Sequence, residues 1–344
     1  MKKQNVVLFD SNEKEAAEYI QGLCSETKSE WKLVIETANK GRGSRFYNVT
    51  RYTKYFLFPL KIFFDRKKYN VIIGWQAFYG ILFAFYCRLF HVTKRNKLVI
   101  QHFIYKKKGG ILGRIYDWFV HFAVSSEYVD LIVTCSSQYV DTLKKEFHLK
   151  DSQVAFARFG VNDFTKWVEN NDLEEKNFVL SVGRSNRDWD FMIESLAGQP
   201  FKVIICCDEL HRSNLADNII IKNDVNGIEA FKYMQNCKCA VIPIKNGELS
   251  AGETVLLQQM CFGKPIIITR PSSLANDYIK NGENGIVIEK KQNELQEAVN
   301  TIFEDDKYCS MLSGNARRDF VSQYSLFAHG KAVGAILSEH KIIV

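Results

Sequence analysis

Three short stretches carry residue types whose spacing suits them to hold charged or hydroxylic groups. The first is Ser181-Val182-Gly183-Arg184-Ser185-Asn186-Arg187-Asp188, expected just past a strand and just before a helix. Gly183 would let backbone approach a ligand, and Arg184 and Arg187 would set two cations at a strand's C-terminal end. Guanidinium pairs suit a diphosphate, which offers paired oxygens and about two negative charges. The plainer alternative is a surface ion pair from Arg187 to Asp188 or Asp190. The second stretch runs from Asn246 to Thr254 and opens a helix over Val255–Phe262. Ala251 and Gly252 would leave the helix's free N–H groups open to an anion, which the helix dipole favours. Ser250 and Thr254 add hydroxyl donors. Glu253 fits better as an acceptor for sugar hydroxyls or as a cap, and Gln258, one turn beyond Thr254, can reach a ribose. A plain capped helix is the alternative. The third is Gln101-His102, where a histidine ending a strand could act as a base or as a polar handle on a hydroxyl. A lone histidine is more often structural. Asp188-Trp189-Asp190 imitates a metal-binding Asp-x-Asp, but acids at a helix start simply complement the dipole, so no metal is expected.

The elements that must position these residues alternate in type. Strands are predicted at Val6–Phe9, Lys32–Ile35, Asn70–Gly74, Lys97–Ile100, Asp130–Thr134 and Val154–Phe156, with amphipathic helices between most of them. A polar stretch over residues 162–177 reads as a linker. The pattern then restarts with strands at Phe178–Val182, Lys202–Cys206, Asn218–Ile221, Cys239–Pro243, Pro265–Thr269 and Ile286–Ile288. Strands alternating with helices predict parallel sheets with right-handed crossovers. The fold class is therefore α/β, with two doubly wound, Rossmann-like domains facing a cleft. Their boundaries are 1–163 and 164–322, followed by a C-terminal helix over 323–344 that can pack back on the first domain. Ligands in such sheets sit where strands end and helices begin.

Composition narrows the partners. The 344 residues are 46% hydrophobic and 25% charged, as in an ordinary globular chain of two domains. Nine cysteines without metal-ligand spacing read as buried thiols in a reducing cytosol. The N-terminus lacks the apolar run of an export signal, and Val71–Phe90, broken by Gly74, Gln76 and Arg88, reads as a strand plus a helix and not as a membrane span. Residues 1–163 carry 26 Lys and Arg against 15 Asp and Glu, whereas residues 164–344 carry 20 against 24. Within Lys40–Lys68 nine basic residues meet one acid and eight aromatics. That composition suits anionic lipid headgroups, near which each Lys or Arg gains about 1 kcal/mol. No nucleic-acid motif accompanies it. Gly41-Arg42-Gly43-Ser44-Arg45-Phe46 is too poor a match for a dinucleotide loop.

The second half resembles GT-B glycosyltransferases, in particular their glycogen-synthase-like branch in bacterial surface-polysaccharide assembly. Val182-Gly183-Arg184 matches the branch's strand end, with Arg187 as the basic partner. Leu257 to Pro265 matches the end of its donor-gripping segment, and Asn276–Ile279 and Asn281–Gly285 resemble the turn before its last strand. The resemblance covers residues 178–300 and reaches the first half by topology alone. It implies a nucleotide-sugar donor, read here as UDP-linked, bound by the second domain. It also implies a glycan or lipid-linked hydroxyl acceptor on the first, at the inner membrane face. The site residues would be Gly183, Arg184, Arg187, Ser250, Ala251, Gly252, Thr254 and Gln258 for the donor, with His102, Glu248 and Glu253 for catalysis and no metal. The chain departs from the branch where its two motif glutamates fall on Ser250 and Gln258, so Glu248 and Glu253 are the candidate replacements. A GT-B sugar-nucleotide epimerase and a non-catalytic scaffold subunit are the alternatives; UDP release with acceptor, with water alone, or not at all separates the three.

Overall fold

Runs of Val, Ile and Leu form the strands, and the central ones are buried on both faces: Val71, Ile72 and Ile73 are all inaccessible. Such strands need helices on both sides of a parallel sheet. The computed structural model describes residues 3–36, 47–168, 171–247 and 251–343, and the chain divides into two units. The first unit comprises Met1–Arg158 and Leu326–Val344. It contains β1 (Gln4–Phe9), α1 (Glu13–Thr27), β2 (Trp31–Ile35), α2 (Tyr47–Phe64), β3 (Tyr69–Gly74), α3 (Ala77–Leu89), β4 (Lys97–Gln101), α4 (Gly110–Val124), β5 (Leu131–Thr134), α5 (Ser137–Phe147) and β6 (Val154–Phe156). These strands form one parallel sheet in the order β2-β1-β3-β4-β5-β6.

The second unit, Phe159–Ser325, holds β7 (Val179–Val182), α6 (Trp189–Leu196), β8 (Val203–Cys206), β9 (Ile219–Lys222), α7 (Gly227–Asn236), β10 (Cys239–Ile242), α8 (Glu253–Cys261), β11 (Ile266–Thr269), α9 (Ser273–Tyr278), β12 (Ile286–Ile288), α10 (Gln292–Glu304) and α11 (Asp306–Asp319). Its parallel sheet runs β12-β11-β10-β7-β8-β9. Strand order therefore reverses between β1 and β3 in the first unit and between β7 and β10 in the second. These are the positions where open parallel sheets leave a crevice for ligands.

The last helix, α12 (Leu326–Glu339), returns to the first unit and packs on α1. Glycines permit the close crossing: a Cβ on Gly22 would lie 2.1 Å from the Phe327 carbonyl oxygen, and one on Gly330 2.2 Å from that of Tyr19. The described part of the polar stretch 162–177 is not a loose linker. Asp163 pairs with Arg317 at 2.6 Å, and Phe164 stacks on Phe231 with centroids 4.4 Å apart.

The basic, aromatic window becomes α2, whose helical period divides its rings between core and solvent. Tyr55, Phe58 and Phe63 are buried, Phe58 against Tyr79 at 4.8 Å, while Tyr52, Phe56 and Phe64 are exposed. The expected aromatic surface is accordingly smaller than the sequence count. Residues 40–46 of that window, with Arg42 and Arg45, lie outside the described residues.

Candidate functional site

The second unit's crevice assembles from the two segments that leave β7 and β10. Beyond β7, Gly183 takes the left-handed φ of 131°, which glycine alone adopts readily, and turns the chain toward α6. Beyond β10, Gly252 precedes α8 with φ 114°. Arg187 joins the two segments. A Cβ on Gly183 would lie 3.2 Å from its Nη2, and one on Gly252 would lie 2.9 Å from both Nη1 and Nη2. The missing side chains make room for this guanidinium at the start of α8.

Arg187 is only 5% exposed, its Nη1 donates to the Ser185 carbonyl at 3.1 Å, and its Nε has no hydrogen-bond partner among the described residues. Burial pushes its pKa down to about 10, against the pull of the nearby Glu253 carboxylate. A buried cation with an unused donor is costly unless an anion completes it. The alternative pairing with Asp188 or Asp190 is not what forms: Asp188 pairs with Lys290 at 2.9 Å and Asp190 with Arg212 at 2.7 Å. Asp188 also caps α6, accepting from the Phe191 N–H at 3.4 Å.

Arg184 differs from Arg187. It is half-exposed and lies 3.5 Å from Asp208, so part of its charge is already answered. It lines a pocket of about 220 Å³ with Gly183, Asp208, Phe231, Met234 and Gln258. Gln258 thus shares a cavity with Gly183 and Arg184. Thr254 is exposed, Ala251 and Gly252 are half-buried, and Glu253 is buried in the first turn of α8. Glu248 and Ser250 lie outside the described residues.

His102 sits elsewhere, after β4 in the first unit, with φ 54°. Its ring meets Trp75 edge-on at 4.5 Å and stacks on His329 of α12 at 5.4 Å. The two Nε2 atoms are 3.3 Å apart, while the Nδ1 atoms face the carbonyls of Trp75 at 3.3 Å and Arg158 at 2.7 Å. Burial, with His329 adding to it, pushes His102 down to about 3, and burial pushes His329 down to about 4. Both rings are neutral at pH 7. A ring held this far below its ordinary value is a weak base, which suits a hydrogen-bonding handle better than a general base.

Sequence reasoning missed the apolar wall of the pocket, Phe231 and Met234 on α7, and the partner ring His329. Asn226-Gly227, a turn signal opening a helix after a strand, pointed to α7 as a crevice element. Nothing in the sequence ties His329 to His102, 227 residues away.

Residues 163–319 match the family described as Glycosyl transferases group 1. No curated protein matches the chain in sequence. Among solved structures, Alr3699/HepE of Anabaena in complex with UDP superposes with TM-score 0.63 at 15% identity, covering 98% of this chain and 100% of that one. Sucrose-phosphate synthase of Thermosynechococcus elongatus gives 0.66 at 13%, covering 98% and 99%. WaaG, a glycosyltransferase involved in lipopolysaccharide biosynthesis, gives 0.59 at 13%, covering 97% and 99%. These likenesses extend over both units and carry the GT-B fold. Residues 163–319 thus form a Glycosyl transferases group 1 domain within a chain of GT-B fold, and that domain marks a nucleotide-sugar glycosyltransferase.

Proposed function

We propose that the enzyme moves a sugar from a UDP-linked donor to a hydroxyl on a lipid-linked or glycan acceptor, in surface polysaccharide or glycoconjugate synthesis, without a divalent metal. The observation that carries this reading is Arg187, buried between Gly183 and Gly252 at the start of α8 with its Nε unused. A diphosphate laid across the two glycines would meet that guanidinium and the free N–H groups of the first turn of α8. UDP in the complexed HepE structures supports the choice of nucleotide.

In this reading Arg184 meets the outer phosphate, Gln258 the ribose, and the pocket wall of Phe231 and Met234 the base. Glu253 and Glu248 are the carboxylates available to the donor sugar, and Ser250 and Thr254 supply hydroxyls beside the phosphates. As the sugar–phosphate bond breaks, negative charge grows on the departing UDP, where preorganised donors act most strongly. His102 would hold a hydroxyl through its neutral ring. The first unit would rest on anionic membrane through its basic, aromatic segment. Titration of UDP into wild type and Arg187→Ala tests the reading. Equal affinity in both would overturn it, and UDP release from UDP-sugar only when a hydroxyl acceptor is added would mark transfer.

A further inference from the structure

We propose that Asp117 and His121 of α4, with Glu146 of α5, form a binding site for a zinc-class divalent cation that clips the two helices together. The site belongs to the first unit alone and does not rest on the donor reading. A ring nitrogen of His121 and one oxygen of each carboxylate lie within 4.8 Å of one another. Asp117 and His121 are four residues apart, so the helical turn sets both on one face of α4. Glu146 comes from the last turn of α5, with an oxygen 3.5 Å from His121 Nε2. All three residues are half-buried, open enough for an ion to enter and near enough to share it.

The bonds of the histidine decide what the gap takes. Its Nδ1 lies 2.9 Å from the Asp117 carbonyl, and a carbonyl only accepts, so Nδ1 carries a proton. A neutral ring then turns the Nε2 lone pair toward the Glu146 carboxylate, two acceptors with no hydrogen between them. A cation relieves that contact. Metal-bound histidines give their other N–H to just such a backbone carbonyl, which fixes the tautomer and the ring. The ring is also held by packing, on Phe147 at 4.7 Å and edge-on to Tyr105 at 5.7 Å. The Tyr105 hydroxyl donates to Asp117, and the Tyr105 N–H donates to the Tyr139 hydroxyl of α5 at 2.8 Å. The carboxylate is thereby supported from the second helix as well as its own. One imidazole with two carboxylates suits zinc or cobalt better than magnesium or calcium, which prefer oxygen alone; water would complete a four-coordinate shell. The competing cation is Lys107, 3.0 Å from Glu146 on a side chain 70% exposed. An ion pair that open to water is worth little and yields readily to a divalent ion. Without a metal, the alternative is a doubly protonated ring between the two carboxylates.

The test is calorimetric titration of the full-length protein, stripped with EDTA and dialysed, with zinc, cobalt(II) and magnesium. Four variants accompany wild type: His121→Gln, Glu146→Gln, Tyr105→Phe and Lys107→Gln. Thermal unfolding in EDTA checks that each is folded, and Lys107→Gln, altered only at an exposed side chain, keeps the test decisive should a ligand variant not fold. Wild type is expected to bind a single zinc ion, to ignore magnesium, and to unfold at a higher temperature as zinc is added. His121→Gln and Glu146→Gln should bind at least about tenfold more weakly, and Tyr105→Phe about tenfold, as for loss of a group that orients a metal ligand. Lys107→Gln should bind at least as tightly as wild type, since its competing charge is gone. The cobalt-loaded protein should show the visible spectrum of a four-coordinate nitrogen and oxygen site. No zinc binding by wild type would overturn the proposal and leave the doubly protonated ring between the carboxylates. Equal zinc affinity in wild type and both ligand variants would mark an adventitious ion only. A thiolate charge-transfer band with cobalt would move the site to a cysteine, and an unfolding temperature unmoved by zinc would overturn the clip.

Discussion

The two sheets have the same number of strands and the same parallel sense, yet their switch points hold opposite chemistry. Between β7 and β10 stand a buried arginine, two glycines and a helix start. Between β1 and β3 stand Asp10, Gln76 and Trp75; burial raises the Asp10 carboxyl, though a hydrogen bond with Gln76 and the charge of Arg51 oppose the shift. Net charge points the other way, since the basic half of the chain is the first and the acidic half the second. Topology supplies a crevice in each unit, but the side chains at the strand ends decide what enters it. The charge of a whole unit reports on its outer surface and not on its ligand.

The largest effect that would test this contrast is on stability. If the first crevice is built to stay uncharged, acid should weaken the unit through its histidine pair. The ordinary histidine value is about 6.5 in an unfolded chain, whereas His102 and His329 are held near 3 and 4. Below about pH 6.5 the unfolded chain binds protons that the folded one refuses, so stability falls as pH drops toward 4. Two such groups amount to about 3–5 kcal/mol between pH 7 and 4.5. In thermal unfolding followed across this range, His329→Asn should lose about 2 kcal/mol less stability between pH 7 and 4.5 than wild type. An unchanged slope would mean the pair is not shielded as described.

Next in size is the anion crevice itself. Arg187→Ala should weaken UDP by about 2–3 kcal/mol, the range for losing charged hydrogen bonds. Asp10→Asn, at the other switch point, should leave UDP affinity unchanged. Calorimetric titration of both variants measures the contrast, and a matching loss in Asp10→Asn would erase it.

Much of this is legible in the amino-acid sequence alone. Alternating apolar runs place all twelve strands of the described residues to within two residues, because strands buried on both faces must be nearly continuous in Val, Ile and Leu. The glycine-flanked arginines were legible too, since glycine and arginine at a strand end are chemically specific. Three things were not. The rings of α2 look alike in sequence, and only the helical period, read over the whole segment, separates Phe58 inside from Phe56 outside. The exposed apolar residues of α4, Ile111, Leu112, Ile115 and Trp118, were hidden because an apolar residue facing solvent has the same letter as one in the core. The His102–His329 contact joins β4 to a helix at the far end of the chain, and a single sequence contains no signal of such a pairing.

Arg184 and Arg187, three residues apart, looked interchangeable in the sequence. Arg184 is half-exposed and already within 3.5 Å of Asp208, so water and that carboxylate screen it. Arg184→Ala should therefore cost less than about 1 kcal/mol of UDP affinity, well below the loss at Arg187. Equal losses would show that a bound diphosphate draws Arg184 away from Asp208.

The smallest expected effect is none, and it concerns the acids of the same segment. Asp188-Trp189-Asp190 would need two free carboxylates on one side to hold a divalent cation. Asp188 instead spends its oxygens on the Phe191 N–H and the Lys290 ammonium, and Asp190 turns to Arg212. A metal would have to displace both cations and uncap α6 before it could approach a diphosphate beside Arg187. Charge on the departing nucleotide is already met in this reading by a buried guanidinium and a helix start, so a metal would add like charge to a cationic crevice. Turnover measured as UDP release should be the same with EDTA as without it, and Asp190→Asn should leave that equality intact. Loss of turnover in EDTA, restored by manganese, would show that the crevice between β7 and β10 takes its charge from a metal and not from Arg187.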